Sequence, residues 1–209
     1  MMKRRPVVVV LAAGRGLRFR GNGHKLEQSL GTGTLLSRTV AHALETKLRV
    51  VVVSSEKLAP MVAGLIGAGD VIKVPELASS GRPNPLGMGF SIAAGVAATG
   101  DAEGWLIVPG DMPLLRPETL LAVAEAIEQY PVAFAQYRGM RGHPVGFSAE
   151  LYSELVALEG DEGARRLLAR YPAQAVEVDD AGVLVDVDTV EDLARLRGEQ
   201  ARERLSSGS

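Results

Sequence analysis

Val7-Val8-Val9-Val10-Leu11-Ala12-Ala13-Gly14-Arg15-Gly16-Leu17-Arg18 is the stretch on which the fold turns. Val7 to Leu11 is continuously apolar and rich in β-branched residues, the pattern of a central strand covered on both faces by helices. The small residues directly after it let backbone N–H groups come close to an anionic ligand. Lys3, Arg4 and Arg5 ahead of the apolar run give it a superficial likeness to a secretory signal. The run is at the short limit for such a signal and leads into Gly14, Arg15, Gly16 and Arg18 rather than a small-residue cleavage site, so a buried strand is expected.

Outward from this strand the pattern alternates. Leu35 to Leu44 reads as a helix and Arg49 to Val53 as a second all-apolar strand ending at Ser54 and Ser55, completing a βαβ unit. A helix from about Leu58 to Ile66 and a strand Val71 to Val74 follow. The loop containing Ser79, Ser80, Gly81, Pro83, Asn84 and Pro85 is long, and loops of that length are usually functional. Gly89 to Ala98 is expected as a helix, Trp105 to Val108 as a strand, Pro117 to Gln129 as a helix with proline at its start, and Val132 to Gln136 as a strand. Arg138 to Gly142 is turn-like, and Pro144 to Phe147 suits a hairpin partner for the preceding strand, giving an antiparallel edge. Helices at about Ala149 to Leu158 and Asp161 to Ala169, a strand pair around Ala175 to Val178 and Val183 to Val187, and a helix from Thr189 to about Arg204 complete the chain. The expected architecture is a three-layer α/β/α, Rossmann-like domain with a mainly parallel mixed sheet over residues 1-205, and a frayed tail at 206-209.

The 209 residues carry a net charge of −2, only 4% aromatics and no cysteine. A near-neutral chain has no global field for nucleic acid and, with few aromatics, little on which to stack bases, so polynucleotide binding is not expected. The lack of cysteine excludes disulfides, thiolate zinc sites, iron–sulfur clusters and cysteine nucleophiles. No other stretch approaches the roughly 20 apolar residues of a membrane span; no membrane association and a cytoplasmic location are expected.

Two familiar phosphate loops fail against the first motif. A dinucleotide loop needs a third glycine where Phe19 stands and an acid where Ser54 and Ser55 stand. A Walker loop needs Lys and then Ser or Thr directly after Gly21, but Asn22, Gly23 and His24 precede Lys25 and Leu26 follows it. What remains is a glycine-rich turn bearing Arg15, Arg18, Arg20 and Lys25, enough positive charge to hold a triphosphate. A solvated basic loop is the plainer alternative. Asp111, just beyond the carboxyl end of the Trp105 to Val108 strand, lies where ligands of open α/β sheets bind and suits Mg2+, or else caps a helix after Pro113. Gly87 to Ser91 opens a helix whose N–H groups could face a base or an anion, with Asn84 able to pair with a pyrimidine edge, or forms a plain cap. His143 suits either a structural hydrogen bond or a ligand contact. Asp186 and Asp188 alternate on a strand end, so only one of them should reach the site; Asp188 could equally be the N-cap of the helix at Thr189.

Leu11-Ala12-Ala13-Gly14 with Arg18 and Lys25 resembles the signature of nucleotidyltransferases that couple an NTP to a phosphorylated acceptor. Gly87-Met88-Gly89-Phe90-Ser91-Ile92, Gly110-Asp111-Met112-Pro113-Leu114-Leu115, Gly142-His143-Pro144-Val145, Gly160-Asp161-Glu162-Gly163-Ala164-Arg165 and Asp186-Val187-Asp188-Thr189-Val190-Glu191-Asp192-Leu193 follow in order. Together they resemble the MobA-like NTP transferases of the nucleotide-diphosphosugar transferase superfamily, in the branch containing the molybdenum cofactor cytidylyltransferases. The likeness spans nearly the whole chain. Two departures stand out: Arg20 separates Phe19 from Gly21, lengthening the loop by one residue, and His24 replaces the usual Asn or Pro before the lysine.

The resemblance implies a Mg2+-dependent cytidylyltransferase that moves CMP from CTP to the terminal phosphate of molybdopterin, with a molybdoenzyme or its chaperone as a further partner. It implies catalytic roles for Arg18, Lys25 and Asp111, and nucleotide binding by Leu11, Ala12, Ala13, Gly14, Gly16, Asn84, Gly87, Met88 and Ser91. It places His143, Asp161 and Arg165 toward the acceptor and the metal on Asp111 and Asp188. Guanylyl-transferring relatives carry a leucine-containing sequence where Gly87-Met88-Gly89 stands, which favours cytidine. A GTP-using guanylyltransferase, a cytidylyltransferase for another small acceptor, and a cofactor carrier or chaperone without turnover are the competing readings.

Overall fold

The computed structural model describes residues 5–14, 16, 18–75, 87–160 and 163–206. Strand β1 (Val7–Ala12) is followed by a small hairpin, β2 (Ser29–Leu30) with β3 (Gly33–Thr34), and then by β4 (Arg49–Ser55), β5 (Val71–Val74), β6 (Gly104–Pro109), β7 (Val132–Tyr137), β8 (Met140–Ser148) and β9 (Ala173–Glu177). Apart from the hairpin, the strands form one sheet in the order β5-β4-β1-β6-β8-β7-β9. β1 is parallel to both β4 and β6, whereas β8 is antiparallel to β6 and β7.

The unbroken apolar run of β1 follows from burial on both sides. Val8, Val10 and Ala12 pack with Leu36 and Val40 of α1 (Leu35–Glu45), Val62 of α2 (Ala59–Ala63) and Leu120 and Val123 of α4 (Pro117–Ala126). Val7 and Val9 pack with Ile92 and Val96 of α3 (Gly87–Ala97), Leu155 of α5 (Tyr152–Val156) and Leu167 of α6 (Gly163–Arg170). Each valine so buried contributes about 1.5 kcal/mol or more, and a polar residue at either parity would face one of two cores. The layers are therefore helix, sheet, helix. α3 lies close to the sheet because Gly95 permits it: a Cβ there would stand 2.5 Å from Val9 Cγ1. Among the described residues no helix is long and apolar enough to cross a membrane.

Three local expectations are corrected. The β7–β8 turn is only Arg138-Gly139, both at positive φ (49° and 77°), so β8 begins at Met140 and Arg141 and Gly142 belong to the strand. Residues 149–158 divide into a 3-10 turn, Ala149–Leu151, and the short α5. The strand expected at Val183 to Val187 is absent; β9 instead pairs parallel with β7, and Ala181–Leu184 forms a 3-10 turn.

Asp180 is the physical reason for the last of these. Only 3% exposed, it accepts hydrogen bonds from the backbone N–H of Arg116 and Gly182 and from Thr119 Oγ1. This ties the chain to the start of α4 and turns it out of the sheet. Asp180→Ala would strand three donors, a cost of about 3 kcal/mol, and for a chain of this size should lower Tm by roughly 6–12 °C; differential scanning calorimetry checks it. Beyond the turn, Val187 donates its N–H to the Asp111 carbonyl at 3.1 Å. Its side chain enters a third core with Phe19, Leu30 and Leu35, closed by Leu193 and Leu196 of α7 (Val190–Ser206). Residues 207–209 lie outside the described residues.

Candidate active site

The carboxyl ends of β1 and β6 border a cleft of about 660 Å³, within the range of small-molecule sites. Its floor is the turn after β6, where the Gly110 N–H donates to the Leu11 carbonyl at 2.9 Å. One wall is the loop after β1. Phe19 is drawn down into the third core, Gly21 fits against its ring, and Arg20 is exposed. His24 then turns the chain back: its Nδ1 accepts from the Leu26 N–H and its Nε2 donates to the Gly14 carbonyl at 3.1 Å. Burial lowers the His24 pKa, which suits the neutral ring these two bonds require. The 3-10 turn Lys25–Glu27 follows directly, so His24 delivers Lys25 to the cleft.

Lys25 Nζ donates to Asp111 Oδ2 at 2.5 Å and to Asp188 Oδ1 at 3.0 Å, and Arg18 Nη1 pairs with Asp188 Oδ2 at 2.6 Å. Burial disfavours the Lys25 ammonium, but the two carboxylates more than offset it and raise its pKa above the usual lysine value. Asp111 Oδ1 is buried and has no hydrogen-bond partner. Asp111 does not cap a helix, because α4 begins only at Pro117. Nor is Asp188 an N-cap: Thr189 and Asp192 form that cap between themselves, with Asp192 Oδ2 accepting from the Thr189 hydroxyl and from the N–H groups of Thr189 and Asp188.

Asp186 also lines the cleft. The expectation that Asp186 and Asp188 point to opposite faces rested on a strand that is not there. Burial, and then the Asp188 charge, raise the Asp186 pKa. Among the described residues no three acids or histidines are gathered into a ready-made metal cage. Mg2+ needs less, since it binds through one or two carboxylates with water and substrate phosphates completing its shell. The hard oxygens of Asp111 and Asp188 fit that requirement, one of them unpartnered, with Lys25 holding the cationic place between them.

Leu11, Ala13, Gly14, Gly16, Gly87, Met88 and Ser91 line the same cleft as Arg18, Lys25, Asp111, His143 and Asp188. Ala12 does not: it is fully buried in the core behind. Arg165 is exposed on α6 and stands outside the cleft lining. Arg15, Asn84 and Asp161 lie outside the described residues. Gly87 has φ +65°, and a Cβ there would meet the Gly160 backbone at 2.3 Å; the Gly89 N–H donates to the Gly160 carbonyl at 2.7 Å. These glycines therefore join the start of α3 to the 159–160 loop, and the Gly89 donor is already committed. Burial lowers the His143 pKa, and its Nδ1 is buried without a partner. Sequence reading missed Arg141 and allowed only one of Asp186 and Asp188 to reach the site, whereas Arg141 and both aspartates line the cleft. The two-residue length of the Arg138-Gly139 turn was the available signal for Arg141.

Residues 8–176 match the family model described as MobA-like NTP transferase domain. Purine catabolism protein PucB of Bacillus subtilis is 38% identical over 117 residues, covering 53% of this chain and 56% of PucB. The chain thus spans about half the length of that relative. The crystal structure of Rv0371c from Mycobacterium tuberculosis aligns with TM-score 0.80 and 26% identity, covering 95% of this chain and 100% of that one. The same protein in complex with manganese aligns with TM-score 0.75 and 26% identity, covering 93% and 98%.

Proposed function

The chain belongs to the MobA-like NTP transferase family, and from that premise we propose that it is a Mg2+-dependent cytidylyltransferase that transfers CMP from CTP to the terminal phosphate of molybdopterin. The observation that carries this reading is the placement of Lys25 between Asp111 and Asp188 at the carboxyl end of the sheet, beside a glycine-rich turn. An oxygen of the acceptor phosphate attacks the α-phosphorus of CTP; the new P–O bond forms as the bond to the β-phosphate oxygen breaks, and pyrophosphate leaves. A phosphate nucleophile is anionic near neutral pH, so no general base is needed and the work is positioning and charge neutralisation.

Each part of the cleft has a task in that step. The backbone of Ala13, Gly14 and Gly16 cradles the triphosphate, and Lys25 and Arg18 hold its oxygens by charge-assisted hydrogen bonds. The carboxylates that raise the Lys25 pKa keep it cationic across the neutral range. Asp111 and Asp188 would hold Mg2+, which when bound neutralises developing phosphate charge. Met88 and Ser91, at the start of α3, face the base; the Gly89 N–H is excluded from base selection by its bond to Gly160.

Isothermal titration with CTP and with GTP in the presence of Mg2+ tests the nucleotide. CTP is expected to bind at least about tenfold more tightly, a difference of roughly 1.4 kcal/mol. Equal binding, or a preference for GTP, would overturn the cytidine assignment.

A further inference from the structure

Arg141 is the cation of the cleft that the Lys25 centre leaves unused. β8 borders β6 on the side away from β1 and runs antiparallel to it, so its first residues stand at the same sheet end as Asp111. Arg18 and Lys25 thus reach the carboxylates from the β1 side, and Arg141 enters the cleft from the β8 side. Its side chain is exposed at the cleft mouth, its guanidinium lies 4.5 Å from the centroid of the Phe134 ring, and what desolvation it suffers lowers its pKa. An arginine remains charged under such a shift.

No acidic residue neutralises this charge among the described residues. Gln136, the cross-strand neighbour of Arg141, is paired in register with Glu177 of β9. That carboxylate is already taken: Oε2 accepts from Gln136 Nε2 at 2.9 Å and Oε1 from the Arg138 N–H at 2.7 Å. Two residues along β8, His143 brings an unpartnered, buried Nδ1 to the same part of the cleft. A guanidinium lying over an aromatic face with its donors unpaired is suited to an anion that it can grip with two hydrogen bonds.

We propose that Arg141 binds the anionic group of the acceptor, a phosphate monoester, on the opposite side of Asp111 from the triphosphate. This rests on the transferase reading and deepens it by naming the residue that grips the acceptor phosphate and so selects a phosphorylated acceptor over a neutral one. In-line displacement requires the attacking and leaving groups on opposite sides of the α-phosphorus, and β1 and β8, which carry the two basic poles to the cleft, border β6 from opposite sides.

The test is calorimetric titration with inorganic phosphate of the wild-type protein and of Arg141→Gln, Arg141→Lys and Arg18→Gln, each with and without saturating α,β-methylene-CTP and Mg2+. With the nucleotide analogue bound, the wild type is expected to bind phosphate, R141Q at least about tenfold more weakly, and R141K in between, while all three Arg141 forms bind the analogue equally. Equal phosphate affinity in wild type and R141Q, or a loss seen in R18Q but not in R141Q, would overturn the proposal. Failure of the wild type to bind the analogue would instead overturn the transferase reading, and the nucleotide-free phosphate series would still decide the role of Arg141.

Discussion

Turnover of the Asp111→Ala protein is expected to fall by about three orders of magnitude with its fold intact. A metal-holding carboxylate supports several kcal/mol of transition-state stabilisation, and each 1.4 kcal/mol is a factor of ten in rate. Stability should change far less. The contacts that hold this turn are main-chain ones, from Gly110 to the Leu11 carbonyl and from Val187 to the Asp111 carbonyl, and both survive the substitution. Lys25 keeps Asp188 as a partner, and the unpartnered Asp111 Oδ1 disappears. Thermal unfolding beside a pyrophosphate-release assay separates the two effects. Asp111→Asn, which preserves shape without the charge, should behave similarly. Near-normal turnover in either variant would remove Asp111 from the chemistry.

Lys25→Ala should weaken CTP binding by about 10- to 100-fold, the range corresponding to roughly 1.5–3 kcal/mol for hydrogen bonds to charged groups. Its second effect has the opposite sign. In the free protein Lys25 contacts Asp111 Oδ2 and Asp188 Oδ1, the oxygens assigned to the metal. Its loss leaves those carboxylates, with Asp186 beside them, without a buried counter-charge. Nucleotide-free K25A is therefore expected to bind Mn2+ more tightly than wild type, read by electron paramagnetic resonance titration. Unchanged CTP affinity would mean that the longer loop has carried Lys25 away from the triphosphate; weaker Mn2+ binding would mean that it does not compete for those oxygens.

The central layer of the fold was legible because its chemistry is local. β1 and β4 are valine-rich runs and β6 reads Trp105-Leu106-Ile107-Val108, and all three are buried from both sides. The same logic misled at Val183 to Val187. Apolar residues at every second position read as a strand, but one of them, Val183, packs beneath α4 and another, Val187, under α7. The tertiary bonds of Asp180 override the local pattern, and nothing within the segment announces them. That error also separated Asp186 from Asp188. The candidate site was legible as a set of glycines, cations and acids in order along the chain, but not as a charge centre. The contact between Lys25 and Asp111 spans 86 residues and exists only because β1 and β6 are neighbours. The placement of His24 also needed the structure, because its two hydrogen bonds explain how a longer loop still returns Lys25 to the cleft.

Single-turnover release of pyrophosphate from CTP and from GTP, with and without molybdopterin and in the presence of Mg2+, tests the account most directly. With enzyme in excess, CTP and molybdopterin together should release stoichiometric pyrophosphate and form the cytidine dinucleotide. GTP should react far more slowly, and omission of molybdopterin or replacement of Asp111 should abolish the burst. No pyrophosphate from CTP in the presence of molybdopterin, or a burst that persists without Asp111, would contradict it.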